Sequence, residues 1–157
     1  MPHKMDTNTT VYFYEQEFYC LSNFSAFRLH WHTLDFDTAE AAYQWTKFHS
    51  IPLESIRLNI QVDIYNARSA HEAFKIAEAN RKYAHPCWDK LKIGVMHQIL
   101  KAKTGQHEYV QRKLLQTGDR VLIEDSWRDN FWGWGATGDG ENMLGKLWME
   151  IRNELRT

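Results

Sequence analysis

The sequence has few of the features that mark several large classes of protein. It contains three prolines, two cysteines and no low-complexity tract in 157 residues, which argues against linkers. It has no run of about 18 apolar residues, so no transmembrane helix is expected. Residues 1–10 are polar and have no apolar signal-peptide core, and Cys20 and Cys87 lie outside any C-x-x-C spacing. We therefore expect a soluble cytoplasmic protein with free thiols.

Charge of either sign is not in excess. Nineteen Lys and Arg stand against twenty Asp and Glu, a net charge of −1. This balance argues against a uniformly basic nucleic-acid binder, an acidic disordered tail and tight nonspecific binding to duplex DNA. Residues 86–117 are locally basic, with six basic and two acidic side chains. That segment either attracts phosphates at short range or is an ordinary solvated helix face.

Aromatic residues are plentiful, with seven Trp, seven Tyr and eight Phe. They indicate a packed core and a cleft that could bind a ring. Hydrophobic spacing and capping residues predict helices over residues 38–49, 65–81, 86–102, 107–116 and 141–155, and strands over 11–14, 27–31 and 121–124. The expected fold is α+β: a compact, mostly helical single catalytic domain over residues 11–157, after a flexible N-terminus over residues 1–10.

Five of the eight glycines lie between Gly133 and Gly145, where two nucleotide-binding patterns nearly match. Residues 133–138 fit G-x-G-x-x-G, but no strand leads directly into them and no second parallel strand can follow. Residues 140–146 fit most of a P-loop, but Leu147 stands where a Ser or Thr must bind magnesium. Neither pattern therefore predicts its usual nucleotide site.

The same segment interleaves Trp127, Trp132 and Trp134 with polar residues and glycines. Glycines let the backbone approach a ligand, and a glycine-rich loop leading into a helix is a favourable anion site. The alternative is a surface loop whose tryptophans fold back onto the core. The residue pattern alone leaves both interpretations open.

Glu40, Tyr43, Gln44 and Lys47 share one face of the predicted 38–49 helix, because they stand at positions i, i+3, i+4 and i+7. A lysine amine can form a Schiff base with a carbonyl carbon when burial lowers its pKa, and a nearby carboxylate can move protons. The alternative is a solvent-exposed polar stripe. No H-E-x-x-H pattern, Cys/His cluster or G-x-S-x-G elbow is present, so we expect no metal and no cofactor.

The order of motifs along the chain is more specific than any one of them. It consists of Phe13-Tyr14, Leu21-Ser22-Asn23-Phe24, Thr38-Ala39-Glu40, Gln44-Trp45-Thr46-Lys47-Phe48, Trp88, Leu122-Ile123-Glu124, Asp129-Asn130-Phe131-Trp132-Gly133, Gly140-Glu141-Asn142 and Leu147-Trp148. Over roughly residues 11–155 this order resembles the NADAR, or YbiA-like, family.

The resemblance implies an α+β domain that cleaves N-glycosidic bonds without a metal. Two substrate classes are associated with the family: the phosphoribosylamino-pyrimidine intermediates of riboflavin synthesis, and guanine that is ADP-ribosylated in DNA or RNA. Both join a phosphorylated ribose to an exocyclic amine. The expected partners are therefore a phosphorylated ribosyl-amine or ADP-ribosyl substrate, with no membrane.

The resemblance also implies roles for individual residues. Lys47 matches the family's K-F lysine and would be the nucleophile, and Glu40 matches its T-x-E glutamate and would move protons. Asp129 matches the D-x-x-W-G aspartate and would bind ribose hydroxyls or act as a second base. Carboxylates at a glycosidic carbon also serve oxocarbenium-type hydrolysis, so both mechanisms stay open. The expected substrate-binding residues are Ser22, Asn23, Phe24, Tyr43, Gln44, Trp88, Trp132, Gly133 and Asn142.

The chain departs from the family pattern at four positions. Ala41 stands where the family usually has His, Ala77-Glu78 replaces a Gly-Arg pair, and His85 stands in place of an Arg. Losing two basic residues changes the expected phosphate contacts and mildly favours a non-catalytic ADP-ribose or nucleotide reader. A structural domain with an aromatic partner surface is the third alternative. Retention of the lysine and both carboxylates favours an N-glycosidase.

Overall fold

The structure, a computed structural model, describes residues 3–157. Its helices are α1 (Ala39–Lys47), α2 (Ser55–Tyr65), α3 (Ala70–Ala79), α4 (Trp88–Gln106), α5 (Glu108–Gln116) and α6 (Met143–Leu155). Its strands are β1 (Thr10–Tyr12), β2 (Leu29–Trp31), β3 (Leu34–Phe36) and β4 (Val121–Ile123), and 3-10 helices span Gln16–Leu21 and Arg81–Tyr83. The predicted mostly helical α+β class is confirmed.

The chain divides into two units. The terminal unit combines the residues up to 25 with residues 107–157, and the central unit comprises residues 26–106. Assignment of residues 11–157 to one domain stays a prediction, as does the flexible N-terminus over residues 1–10, of which residues 1–2 lie outside the described part. Cys20 and Cys87 have free thiols, as expected. Across residues 3–157, no helix is both long enough and apolar enough to cross a membrane.

Helix α1 organises the central unit. It contacts α2, α3 and α4 and both strands of the antiparallel β2–β3 hairpin. Thr38 caps it, since its hydroxyl accepts a hydrogen bond from the Ala41 N–H at 3.1 Å. Ala39 and Ala42 are completely buried, and their small side chains let neighbouring helices approach closely. The predicted helix over residues 38–49 is confirmed to within two residues at its C-terminal end.

Helix α2 is absent from the sequence prediction. Ile60 and Ile64 are buried, while Leu58 and Val62 on another face are 46% and 48% exposed. Because both faces are apolar, the segment has no clear amphipathic period. The single helix predicted over residues 65–81 is wrong in its start, because α2 ends at Tyr65 and Ser69 caps a new helix by accepting from the Glu72 N–H at 3.0 Å.

Helix α4 also differs from its prediction, which ended before Gly105. It begins at Trp88, two residues after Pro86, and runs through Gly105 to Gln106. A single glycine in a helix costs only about 1 kcal/mol, which the packing of a 19-residue helix readily outweighs. Gly105 therefore does not end α4.

The terminal unit is built on a parallel pair, β1 with β4, in which Val11 lies opposite Leu122. Helix α6 packs against β4 and buries the predicted apolar face, including Leu147 and Trp148. The Trp148 indole N–H donates to the Leu21 carbonyl at 2.9 Å, which fixes α6 to the end of the first 3-10 helix.

The C-terminal end of α5 is held by cations. Gly118 follows this helix with a φ of +64°, the conformation expected of the predicted glycine cap. Arg120 donates to the Gln116 carbonyl at 3.1 Å, and Arg152 donates to the Thr117 hydroxyl at 2.8 Å. Positive charge at this end complements the helix dipole, so the arginines stabilise the turn from α5 into β4.

Gly145 sets the distance between α6 and β4. A Cβ atom at this position would lie 2.1 Å from the Leu122 carbonyl oxygen and 2.7 Å from Asn142 Oδ1. Only a residue without a side chain permits this approach. By contrast, a Cβ at Gly105 in α4 would meet no heavy atom within 4 Å.

We predict opposite effects for two helical Gly→Ala changes. Gly145→Ala should lower the free energy of unfolding by about 1–3 kcal/mol through overpacking. Gly105→Ala should raise it by about 0.5–1 kcal/mol through helix propensity. Urea denaturation followed by circular dichroism measures both; equal effects of the two changes would contradict the close approach at Gly145.

Candidate active site

The polar face of α1 lies inside the protein rather than in solvent. Glu40, Tyr43 and Gln44 are 7%, 4% and 3% exposed, and Lys47 is half-buried. The interpretation of this face as a solvent-exposed stripe is therefore wrong. The helical spacing predicted that the four side chains share a face, and the packing of α1 against its neighbours places that face in a desolvated environment.

Glu40 and Gln44 are joined by a hydrogen bond. Gln44 Nε2 donates to Glu40 Oε1 at 2.8 Å. An ionised carboxylate can only accept, so this bond fixes the amide and leaves Gln44 Oε1 as an acceptor. Within residues 3–157, that buried oxygen has no hydrogen-bond donor. An unmet buried acceptor costs about 1–3 kcal/mol, so a donor brought by a ligand would be favourable here.

The amine of Lys47 is chemically unusual. Burial lowers its pKa from the ordinary lysine value, and this desolvation is the largest effect. The negative charges of Glu40 and Glu78 oppose the shift, while the positive charges of Lys92 and Arg81 reinforce it. Because the net pKa is lowered, Lys47 is neutral and nucleophilic at a lower pH than an exposed lysine would be.

The C-terminal end of α1 is held in place by the chain before α4. The His85 N–H donates to the Lys47 carbonyl at 2.9 Å, and the Trp88 N–H donates to the His85 carbonyl at 2.9 Å. The ring centroids of Trp88 and Tyr43 are 5.2 Å apart, and the Lys47 amine lies 5.8 Å from the Tyr43 centroid. Trp88 is thus buried behind Tyr43, where it supports the ring nearest the lysine.

Two of the family departures lie beside Lys47. Glu78 acts on the amine through its charge, and His85 holds the lysine backbone. Arg81 and Lys92, which were not among the predicted site residues, also act on this amine. No spacing rule could have found them, because they come from a 3-10 helix and from α4 rather than from α1.

Asp129 shapes the glycine-rich loop of the terminal unit. Its Oδ1 accepts from the Phe131 N–H at 2.9 Å and from the Trp132 N–H at 2.8 Å. These bonds form a tight turn and do not involve Oδ2. The predicted catalytic or ribose-binding role of Asp129 would therefore belong to Oδ2.

Gly133 and Asn142 hold the same loop together. A Cβ at Gly133 would lie 2.8 Å from the Asp129 carbonyl oxygen. Asn142, in the left-handed conformation with a φ of +49°, donates from Nδ2 to the Leu122 carbonyl and accepts at Oδ1 from the Glu124 N–H, both at 2.9 Å. Both residues thus have structural roles, while their predicted ligand contacts stay predictions.

Two N–H groups at the start of α6 are already bonded to the preceding loop. The Met143 and Leu144 N–H groups donate to the carbonyls of Phe131 and Trp132 at 2.9 and 3.1 Å. The loop itself therefore occupies donors that an anion would need, and the interpretation of this helix N-terminus as an anion site is wrong.

Residues 22–24 follow the first 3-10 helix in the terminal unit. Ser22 Oγ accepts from the Phe24 N–H at 3.2 Å, and Ser25 Oγ donates to the Ser22 carbonyl at 2.7 Å. Ser22 and Asn23 are buried, whereas the Phe24 ring is 40% exposed. Of these three predicted substrate contacts, Phe24 has the ring that is open to a ligand.

The predicted site residues thus form two groups, each within one unit. The central unit brings together one set, consisting of Glu40, Tyr43, Gln44, Lys47 and Trp88. The terminal unit places another set in or next to its loops, consisting of Ser22, Asn23, Phe24, Asp129, Trp132, Gly133 and Asn142.

Comparison with known proteins identifies the family. The NADAR domain model matches residues 12–156. The chain belongs to the NADAR family. This confirms the resemblance read from the ordered motifs.

Relatives of similar length are named for their activity. The chain is 35% identical to a protein of Nostoc punctiforme named as an N-glycosidase, covering 94% of this chain and 93% of the relative. It is 31% identical to E. coli YbiA in its NMR structure, with a TM-score of 0.80 over 98% of this chain and 88% of YbiA. E. coli YbiA is likewise named as an N-glycosidase. The prediction of a hydrolase that acts on N-glycosyl bonds is confirmed.

A third relative is a longer protein. The chain is 35% identical to the Zea mays chloroplastic riboflavin biosynthesis protein PYRR over 75% of its own length, and it spans 19% of that relative. Only a part of the maize protein is therefore comparable with this chain.

We predict that two substitutions of Asp129 distinguish the structural role of its turn bonds from the role of its negative charge. Asp129→Asn keeps an Oδ1 acceptor for the two N–H groups but removes the charge, so it should retain the wild-type melting temperature and lose activity. Asp129→Ala should lose both. Thermal melts and glycosidase assays measure these effects; full activity of Asp129→Asn would restrict the residue to a structural role.

Proposed function

We propose that this NADAR protein hydrolyses the bond between C1 of a phosphorylated ribose and an exocyclic amine, with Lys47 as the covalent nucleophile. The observation that carries the proposal is the buried face of α1, on which a lysine of lowered pKa stands near a buried carboxylate. Binding alone requires no nucleophile, so this arrangement favours catalysis over a nucleotide reader.

The proposed reaction exchanges one imine for another. A ribosyl-amine opens its sugar ring to a protonated imine, and the neutral Lys47 Nζ adds to C1. Proton transfer from Lys47 Nζ to the original nitrogen lets the free amine leave, so that C1 becomes a lysine imine. Water then adds to C1, the C1–Nζ bond breaks, and the released sugar aldehyde closes its ring.

Glu40 is the group proposed to move these protons. It lies about two helical turns before Lys47 on the same face, and Gln44 donates a hydrogen bond to its Oε1. In its ionised form the carboxylate accepts the proton that Nζ loses on addition. The resulting acid then protonates the leaving amine.

Gln44 supports the choice of an exocyclic amine. A glycoside of an exocyclic amine keeps an N–H on its glycosidic nitrogen, whereas a glycoside of a fully substituted ring nitrogen has none. Gln44 Oε1 is a buried acceptor that lacks a donor among the described residues. An N–H on the glycosidic nitrogen is the donor that would satisfy it.

Two substrates fit this chemistry. A phosphoribosylamino-pyrimidine is the first candidate, because relatives from Zea mays and Vibrio vulnificus are named riboflavin biosynthesis proteins. An ADP-ribosyl group on guanine in DNA or RNA is the second.

We predict that Lys47→Ala folds normally and loses turnover by about 10³-fold or more. Both substrates are incubated with wild type and variant, and released ribose 5-phosphate or ADP-ribose identifies the class. Borohydride during turnover should reduce the imine and attach the sugar to wild type only, which mass spectrometry detects. Lys47→Arg is the matched control that keeps the charge without forming an imine.

Other results of this experiment have defined meanings. Full turnover by Lys47→Ala would remove Lys47 from the mechanism. Turnover without a trapped sugar would favour an oxocarbenium reaction in place of the lysine imine. Recovery of intact ligand after prolonged incubation would favour the reader.

We predict that two surface charges shift the acid limb of log(kcat/KM) against pH in opposite directions. Glu78→Gln removes a negative charge that raises the Lys47 pKa, so the limb should move to lower pH. Arg81→Gln removes a positive charge that lowers the same pKa, so the limb should move to higher pH. Both side chains are exposed, and added salt should shrink both shifts.

The paired variants make the assignment specific. Each controls for the other, because both remove one surface charge near the same amine. Shifts of the same sign, or an acid limb that neither variant moves, would show that Lys47 is not the group titrating in that limb.

A further inference from the structure

Helix α2 has large apolar side chains on its outer side as well as on its buried side. Leu58, Val62 and Tyr65 are all between 44% and 48% exposed. They stand at positions i, i+4 and i+7, so they form one apolar stripe along the helix. Ile51 and Leu53, in the loop that leads into α2, are also exposed. An apolar stripe along a surface helix is typical of an interaction surface.

The charged residues within α2 lie away from the apolar stripe. Arg57 is turned inward, because its Nε donates to the Tyr83 carbonyl at 2.9 Å and its Nη1 donates to the Ser50 hydroxyl at 3.1 Å. Asp63 lies on the side of the helix opposite to the stripe, since successive residues are about 100° apart. The stripe is therefore free of charge, as is typical of the buried centre of an interface.

Helix α2 is a firm base for a partner. Its buried face, which includes Ile60 and Ile64, faces the interior, and the helix contacts both α1 and α3. The Tyr65 ring lies edge-to-face with the Phe36 ring at a centroid distance of 5.6 Å. A side chain that is already oriented loses little conformational freedom when a partner covers it. Little of the binding free energy is therefore lost in ordering this surface.

The two ends of α2 carry opposite charges that are available to a partner. Glu54 directly precedes the helix, and Arg68 follows its last residue by three positions. Both are exposed, and among residues 3–157 neither side chain forms an ion pair within 4.0 Å. The midpoint between the two charges falls next to Val62, near the middle of the stripe.

The exposed area is sufficient for contact with a second chain. The apolar stripe together with Ile51 and Leu53 exposes on the order of 500 Å², whereas a standard interface buries about 800 Å² on each partner. Somewhat more than half of such an interface is apolar. The apolar part of a standard interface is therefore already present on this helix and the loop before it.

We propose that the protein forms a homodimer in which the apolar stripe of α2 packs antiparallel against the same stripe of a second copy. A twofold axis next to Val62 brings Glu54 of each copy to Arg68 of the other. A surface that is complementary to itself under this rotation is what an isologous dimer requires. An unrelated partner would not require opposite charges at equal distances from the middle of the stripe. The inference does not depend on the proposed function.

The first test is sedimentation velocity of the full chain over a concentration range of about 1–100 μM, which suits the affinity of a modest interface. We expect monomer at the lower end of this range and dimer at the upper end. A protein that stays monomeric throughout would overturn the proposal and leave the stripe to a different partner.

The second test compares two substitutions on the same helix. Val62→Glu places two carboxylates next to the twofold axis, so it should raise the dimer dissociation constant by about 10-fold or more. Ile56→Glu is the matched control, because Ile56 is 44% exposed but lies on the side of α2 away from the stripe. It should leave the dissociation constant unchanged. Equal effects of the two substitutions, or none from Val62→Glu, would overturn the proposal; circular dichroism checks that both variants fold.

The third test concerns the orientation of the two helices. Glu54→Arg and Arg68→Glu should each weaken the dimer several-fold at low salt, because each creates like-charge contacts at both ends of the stripe. When the two variants are mixed, their charges are complementary again. We therefore expect heterodimers above the statistical share, as measured by native mass spectrometry. A statistical mixture, or a double variant that stays as weak as the single ones, would contradict the antiparallel arrangement.

The dimer and the glycosidase mechanism can fail independently. Lys47→Ala should dimerise as wild type does, since Lys47 lies on α1 and not on the stripe. Loss of turnover in Lys47→Ala with an unchanged dissociation constant would support both proposals. A change in that constant would contradict the assignment of the interface to α2.

Discussion

The central unit depends on the burial of α1. Helices α2, α3 and α4 pack against this helix, and its alanines let them approach closely enough to exclude water from a face that also contains Glu40, Gln44 and Lys47. Taking a carboxylate and an ammonium out of water is costly unless they are bonded or neutralised. In this structure Gln44 Nε2 donates a hydrogen bond to Glu40, and burial lowers the pKa of Lys47. The same packing that stabilises the unit thus lowers the pKa of the Lys47 amine.

The terminal unit is stabilised largely by hydrogen bonds between side chains and the backbone of its loops. Between β4 and α6 it has little regular structure, and side chains take over hydrogen bonds that a helix or sheet would supply. Asp129 closes a turn by accepting hydrogen bonds from backbone N–H groups. The Asn142 side-chain amide donates to one backbone group at the end of β4 and accepts from another. Loop carbonyls accept hydrogen bonds from the first N–H groups of α6. These residues matter for folding whether or not they also contact a ligand.

Much of the fold was predictable because several segments have strong local signals. Helix α6 has an apolar face at regular spacing, and Gly118 marks the end of α5. Helix α2 was missed because its two apolar faces cancel the periodic signal, so only the surrounding helices decide which face is buried. The extent of α4 was misjudged because tertiary packing outweighs the local preference of Gly105.

The candidate site was predictable in its helical part. Spacing placed Glu40, Gln44 and Lys47 on one face, but it could not show that the face is buried. Charges that act on Lys47 also come from Glu78, Arg81 and Lys92 on other elements. The residue spacing within one helix cannot reveal such contacts between elements. The family resemblance supplied Asp129, whereas its structural bonds were visible only in three dimensions.

The position of Glu78 has a consequence for how such a site can diversify. It acts on the Lys47 amine through space while its side chain stays exposed, so an exchange of charge there changes the pKa of that amine without repacking the interior. The usual family residue at this position, an arginine, has the opposite sign. A change of charge at this one surface position can therefore retune the proton affinity of the Lys47 amine while the buried face of α1 is left intact.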